Sequence, residues 1–198
     1  MLFDDEGFWY PEIDHAKCTE CGLCINACPI NKDNDTDNFE KPIFYSAISK
    51  DKESLIKSSS GGVFSLLTEN IFQRNGYVFG CILDNNNKAI NIGINSSKEI
   101  ERMRGSKYVR SEINSTYKEV KEKLKQKYPV MFTGTPCQVD GLRRYLVKKY
   151  KNLYLVEVLC HGVPSPKLFE AHIDRLENRH KGKVVNYNMR SKKKLLGL

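Results

Sequence analysis

Hydrophobic and polar positions along this chain change their spacing several times, and each change marks an element. From Ile43 to Ser49 apolar and aromatic residues alternate, the period of a strand. Ser58-Ser59-Ser60-Gly61-Gly62 interrupts with small residues. A helix is expected after it, with Val63, Leu66, Leu67 and Ile71 on one buried face and Asn75-Gly76 at its end. Tyr77 to Leu83 and Ala89 to Ile94 read as strands flanking the Asp84-to-Lys88 turn, a hairpin. Tyr117, Val120, Leu124 and Tyr128 repeat at helical spacing. Val130-Met131-Phe132 is a short, continuously apolar strand of the kind buried on both faces of a parallel sheet. Val139, Leu142, Tyr145 and Leu146 mark the next helix, and Leu153 to Leu159 the next apolar strand. Ser165 and Pro166 can open a last helix, buried through Leu168, Phe169, His172, Ile173 and Leu176. Val184 to Asn188 reads as a final strand. This alternation predicts an α/β core, a mixed, mostly parallel sheet with flanking helices.

Composition changes that picture in two places. The chain has 198 residues, enough for one core plus a small module, and no apolar run long enough to span a bilayer. Its formal charge of +8 comes largely from Lys118, Lys121, Lys123, Lys125, Lys127 and the Lys192-Lys193-Lys194 run. Nucleic-acid binding is the sharp reading of that excess. A solvated helix face with a basic tail is the preferred one, so no nucleic-acid partner is expected. No basic start followed by an apolar run marks a secretory leader, and Cys81, Cys137 and Cys160 are scattered. Such thiols read as reduced, and the chain as cytoplasmic.

The other four cysteines carry the chemistry. Cys18, Cys21, Cys24 and Cys28, followed by Pro29, have the C-x-x-C-x-x-C-x-x-x-C-P spacing of a bacterial-type [4Fe–4S] ferredoxin. Two residues between ligands let one short loop reach several corners of a cube. Gly22 is expected to turn the backbone where a Cβ would clash, and Pro29 to steer the chain away. A zinc site would pair two C-x-x-C units across a longer stretch or add histidines, and no later unit exists here. In two-cluster ferredoxins the fourth cysteine serves the other cluster. Cys28 therefore either closes the Cys18 cluster or awaits a partner run. Residues 1–40 form this ferredoxin-like module, ending in the polar Asn31-to-Lys41 linker, and 41–198 the α/β domain.

Ligands in open α/β sheets sit beyond the carboxyl ends of the strands. Two such ends are chemically rich: Thr133-Gly134-Thr135-Pro136-Cys137-Gln138 and Cys160-His161-Gly162-Val163-Pro164-Ser165. With the Ser58-to-Gly62 loop they offer glycine for close approach, hydroxyls, and helix N-terminal amides suited to an anion. A phosphate-bearing cofactor such as a flavin fits them, and so does ordinary turn chemistry. Cys137 and Cys160 read either as redox or cluster thiols or as small apolar fillers; Cys81 fits the filler role. His161 stands between function and structure. His172 reads as core, and His15 and His180 as surface.

Several segments occur in an order that resembles a known family: Gly7-Phe-Trp-Tyr-Pro-Glu-Ile-Asp14, the cysteine run, Ser58-Ser-Ser-Gly-Gly62, Gly76-Tyr-Val-Phe-Gly80, Gly105-Ser-Lys-Tyr-Val109, Phe132-Thr-Gly-Thr-Pro-Cys-Gln138 and Cys160-His-Gly-Val-Pro-Ser165. The set resembles the family of coenzyme F(420) hydrogenase/dehydrogenase beta subunits, which are iron–sulfur flavoproteins. The resemblance implies an oxidoreductase subunit that relays electrons between the cluster, a bound FAD and a flavin-linked substrate, with a redox partner protein or subunit. It implies cluster ligation by Cys18, Cys21, Cys24 and Cys28. It implies a flavin site at Ser60, Gly61, Gly62, Lys107, Thr133, Gly134, Thr135, Pro136 and Cys137. Family members carry another cysteine run upstream and continue beyond Lys192. The α/β domain is therefore expected to be incomplete at its C-terminus. The alternative function is a non-catalytic electron-transfer module or an inactive fragment, from a locus of the polysaccharide-biosynthesis kind.

Overall fold

The computed structural model describes residues 2–28, 30 and 42–190. The predicted linker at 31–41, Pro29 and the lysines at 192–194 lie outside the described residues. The N-terminal segment forms a two-stranded ribbon, β1 (Leu2–Phe3) against β2 (Trp9–Tyr10), and a short helix α1 (Leu23–Ala27) within the cysteine run. The body follows as α2 (Lys52–Ile56), α3 (Val63–Gln73), β3 (Tyr77–Leu83), β4 (Ala89–Ile94), α4 (Ile100–Met103), α5 (Thr116–Lys125), β5 (Val130–Gly134), α6 (Pro136–Leu146), β6 (Leu153–Glu157) and α7 (Pro166–His180). Its sheet runs β4-β3-β5-β6. The β3–β4 pair is an antiparallel hairpin, and β3, β5 and β6 are parallel. This is the expected mixed, mostly parallel sheet with flanking helices.

Strand alternation divides the core between two faces. Phe79, Val130 and Phe132 point to one face, where they meet Val120 and Leu124 of α5 and Val139, Leu142 and Leu146 of α6. Val78, Ile82 and Met131 point to the other, against Ile71 of α3 and Met103 of α4. Val130, Met131 and Phe132 are each at most 1% exposed, as their unbroken apolar run predicts.

Four expectations are corrected. Residues 43–49 form no strand. Ile43, Phe44, Tyr45 and Ile48 are 66–87% exposed, because no neighbouring strand accepts their backbone. Helix α2 follows instead, opened by the Asp51 carboxylate, which accepts the Ser54 N–H at 2.9 Å. Helix α3 buries Ser65, Thr68 and Ile71, leaving Val63, Leu66 and Leu67 39–43% exposed. The small side chains let its backbone approach the sheet. Strand β6 stops at Glu157, and Val158 and Leu159 are exposed, since β5 gives way to helix at Pro136 and offers no further ladder. Last, residues 184–188 form no strand, and α7 buries only Ile173. His172 is exposed and bonded to the Tyr187 hydroxyl at 2.9 Å, not in the core. Ser165 does cap α7, accepting the Leu168 N–H at 3.2 Å.

Candidate functional site

The cysteine loop is built by two left-handed residues, Glu20 (φ 55°) and Gly22 (φ 70°), on either side of Cys21. Only the backbone angle demands glycine at Gly22. A Cβ there would meet nothing nearer than the Asn26 amide at 3.8 Å, so the expected clash is absent. Amides already face the sulfurs. The Glu20 N–H donates to Cys18 Sγ at 3.4 Å, and the Leu23 amide, helped by the Thr19 hydroxyl, holds the Cys21 thiol below its ordinary pKa. Cys18, Cys21 and Cys24 are exposed and Cys28 is half-buried, all as free thiols. Among the described residues no three Cys, His, Asp or Glu side chains converge as a metal-binding group. The donor set nonetheless fits an iron–sulfur cube: soft thiolates on one loop, with backbone N–H groups directed at sulfur. Helix α1 lies against α6, next to the body.

Individual contacts tie the Ser58-to-Gly62 loop to the segment after α4, and α4 and Thr133 to Gly80 of β3. The Ser59 hydroxyl accepts the Ser106 N–H at 2.7 Å, tying the Ser58-to-Gly62 loop to the segment after α4. Met103 and Thr133 both crowd Gly80, where a Cβ would lie 2.7 Å from Thr133 Oγ1 and 3.3 Å from Met103 Sδ. Thr133 Oγ1 also donates to the Phe79 carbonyl at 3.2 Å. Gly62 opens α3 at φ 78° and supplies no side-chain cap itself. Thr135 precedes α6, its N–H donating to Gln138 Oε1 at 3.1 Å, and its hydroxyl lies 3.2 Å from Cys137 Sγ. Cys137 and Cys160 are both exposed, so neither is a buried filler, whereas Cys81 is half-buried and its thiol is pushed up by desolvation.

Sequence reasoning does not find Arg104, the residue that welds these segments. Its guanidinium donates to Ser65 Oγ at 3.0 Å, Ser54 Oγ at 3.2 Å and Glu101 at 2.6 Å, and its side chain is only 12% exposed. Lys57 reaches the same Glu101 at 3.1 Å. Arg104→Ala is expected to cost about 2 kcal/mol, the scale of a lost charged hydrogen-bond set. A lower urea midpoint at unchanged slope is the readout.

Lys107 is part of the same construction. Its ammonium donates to the carbonyls of Arg102, Met103 and Arg104 at 3.1, 2.8 and 2.9 Å, closing the C-terminal end of α4. Burial pushes its pKa down to about 8, opposed in part by the Cys81 thiol. Below about pH 8 the ammonium is charged in both states, and the cost of burying it is fully present. Between about 8 and the ordinary 10.5 the unfolded chain holds a proton that the folded chain has shed, so this group adds stability as pH rises. The raised Cys81 thiol acts with the opposite sign and interacts with Lys107, so both proteins compared carry Cys81→Ala. The stability of Cys81→Ala relative to the Cys81→Ala, Lys107→Met double variant should grow from pH 8 to 10, by at most about 1.4 kcal/mol per pH unit. Parallel denaturation curves at each pH measure it, and a constant difference contradicts it.

Comparisons with known proteins agree with this geometry. Residues 128–197 match the family model for the C terminus of the coenzyme F420 hydrogenase/dehydrogenase beta subunit, and residues 9–30 match that of a 4Fe-4S binding domain. The chain is 26% identical over 151 residues to the F subunit of the F(420)H(2) dehydrogenase of Methanosarcina mazei. Residues 128–197 thus resemble the C-terminal part of coenzyme F420 hydrogenase/dehydrogenase beta subunits. That alignment covers 72% of this chain and 41% of the Methanosarcina mazei protein. A chain of the F420-reducing [NiFe] hydrogenase complex from Methanosarcina barkeri has the same fold, with a TM-score of 0.52 and 21% identity, over 68% of this chain and 50% of that one. The chain thus spans about half or less of the length of these relatives. Its cysteine run is thus similar to that of a 4Fe-4S binding domain. No helix among the described residues is long and apolar enough to cross a membrane.

Proposed function

We propose that this chain relays electrons between a [4Fe–4S] cluster held by Cys18, Cys21, Cys24 and Cys28 and an FAD bound by the three loops, exchanging them with a flavin-linked substrate of the deazaflavin kind. Residues 1–40 serve as the cluster module and 41–198 as the flavin-binding body, in the cytoplasm and beside a partner redox subunit. The observation that carries this reading is a set of contacts. The Ser59–Ser106 bond ties the first loop to the segment after α4, and Met103 and Thr133 both pack on Gly80, while α1 rests on the helix that leaves the third loop. A bound cluster supplies one-electron transfer, and a bound flavin couples it to two-electron chemistry.

The residues have distinct tasks in this reading. Ser60, Gly61 and Gly62 present backbone to the flavin phosphates, and the α3 N-terminus favours their negative charge. Thr133, Gly134 and Thr135 bring hydroxyls and close backbone to the ring system, and Pro136 and Cys137 wall it. Lys107 places a positive charge beside the site while its three carbonyl bonds hold the 102–107 segment in shape. Anaerobic purification followed by FAD titration and iron analysis tests the reading. About one FAD per chain alongside a cube of four irons is expected. Iron without flavin removes the FAD half and leaves the second reading, an electron-transfer module that binds no flavin. That reading draws on the position of a small cleft, which Trp9, Arg110, Phe169 and their neighbours line and the three loops do not.

A further inference from the structure

The cysteine module touches the body through a contact that the proposed relay leaves unexplained. Gly7 sits in the turn between β1 and β2, where Gly7 N–H donates to the Asp4 carbonyl at 3.0 Å and Phe8 N–H to Asp4 Oδ1 at 2.7 Å. Gly7 is buried at φ 82°, and a Cβ on it would lie 2.3 Å from Lys167 Cβ. The turn therefore presses backbone onto the first turn of α7. Lys167 then reaches back, its Nζ donating to the Asp5 carbonyl at 2.8 Å. Arg110 donates to the Trp9 carbonyl at 3.5 Å, and the Trp9 ring, packed edge-on by Phe3, lines a cleft with Val109, Pro166 and Phe169. Two parts of the body, the 109–112 segment and α7, thus grip one short ribbon.

Little chain separates this grip from the thiols. Beyond Tyr10 the backbone enters a turn at Asp14, whose carbonyl accepts the N–H groups of Lys17 at 3.0 Å and Cys18 at 2.9 Å. Helix α1 then rests on α6 on the far side of the cysteine loop. The loop is held at both ends, and slack at one end moves the sulfurs relative to the sheet edge. Electron tunnelling falls off steeply with distance, so this grip governs the transfer rate without touching either redox centre.

We propose that the Gly7–Lys167 close approach, with Arg110 on Trp9, docks the cysteine loop at a fixed separation from the sheet edge, making Gly7, Lys167 and Arg110 positioning residues for electron transfer. The transfer itself rests on the relay proposed above. Each step oxidises the cluster by one electron and reduces the flavin by one; the partner redox protein returns one electron to the cluster between the two steps, and solvent supplies the protons that complete the reduced flavin. The dock stands on geometry alone and requires only glycine at Gly7, since any Cβ overlaps Lys167 and the positive φ disfavours it.

The test uses the full chain, anaerobically loaded with cluster and FAD, as wild type, Gly7→Ala, Lys167→Gly and the double variant. Amide exchange by mass spectrometry reads residues 2–10 and 163–170. FAD reduction through the cluster is timed against direct photochemical reduction of the flavin. In Gly7→Ala, exchange at 2–10 is expected to rise tenfold or more and cluster-mediated reduction to slow tenfold or more. Iron content and photoreduction are expected to stay unchanged. The double variant loses the overlapping Lys167 Cβ but also the Lys167–Asp5 bond, and it keeps the left-handed angle at position 7, so it should recover only part of both losses, which a general loss of stability would not permit. Unchanged exchange in Gly7→Ala, faster exchange with an unchanged transfer rate, or no recovery in the double variant overturns the proposal. Should Gly7→Ala not accumulate as folded protein, Arg110→Met carries the same exchange and rate readouts. A chain that binds no FAD defeats the relay, and the exchange arm still decides the dock.

Discussion

Replacing Cys21 with serine is expected to strip the chain of its cubane spectrum and drop its iron well below the four per chain of an intact cube. Cys21 is the proposed ligand whose backbone setting is the most specific. Left-handed residues flank it on both sides, Glu20 at φ 55° and Gly22 at φ 70°, so a specific local backbone aims its thiol. The Leu23 amide and Thr19 hydroxyl that favour its thiolate would face a serine hydroxyl that does not ionise in this range. Outside the run the described cysteines are distant in the chain: Cys81, Cys137 and Cys160 belong to β3, α6 and the segment after β6. Iron and acid-labile sulfide analysis, with the visible spectrum before and after reduction, measures the loss. Full iron content in Cys21→Ser would contradict its role as ligand.

Gly61→Ala is expected to cost the largest share of flavin binding for the smallest change in the chain. A Cβ on Gly61 would stand 2.6 Å from the Ala47 carbonyl oxygen, a backbone atom with no rotamer to escape into. The same place carries the 2.7 Å bond from the Ser49 N–H to the Gly61 carbonyl. The loop must therefore lift off the 47–49 segment, and Ser60 and Gly62 move with it. If that loop cradles the FAD phosphates, affinity falls by roughly tenfold or more, about 1.4 kcal/mol. The β3–β5–β6 core lies elsewhere and should unfold near its original midpoint. Titration of FAD into wild type and variant under anaerobic conditions gives the ratio. Equal affinity with intact folding would remove the Ser58-to-Gly62 loop from the flavin site.

The elements legible in the sequence are those whose pattern and packing share one cause. Tyr77–Leu83 and Ala89–Ile94 are marked by alternation around a turn of asparagines, and β3 and β4 have those same bounds. Val130 to Phe132 could hardly be anything but a buried strand, with apolar atoms needed on both faces. Residues 43–49 show why the rule fails elsewhere. Alternation describes a half-buried strand only if a neighbour supplies the ladder, and none does so here. Helix α2 is invisible in the sequence because five residues show no period; its start rests on one carboxylate, Asp51. For α3 and α7 the period yields the helix and the wrong inward face, since burial depends on which element packs there. Small Ser65 and Thr68 win over Leu66 and Leu67, and only Ile173 of the α7 set is enclosed.

The candidate site divides in the same way. The cysteine run is legible because all its geometry is local: spacing alone places thiols on one loop. Arg104 is not, because its partners Ser65 and Ser54 are 39 and 50 residues away and no pattern links them. Lys107 enters through family resemblance as a residue near the flavin. Its bonds to three carbonyls at the end of α4 show a structural task that neither spacing nor charge could suggest.

Electron paramagnetic resonance on anaerobically prepared, reduced protein tests the central claim most directly. The account predicts the low-temperature signal of one reduced cubane per chain, lost in Cys21→Ser. Wild-type protein that stays silent on reduction and carries stoichiometric zinc in place of iron would contradict it.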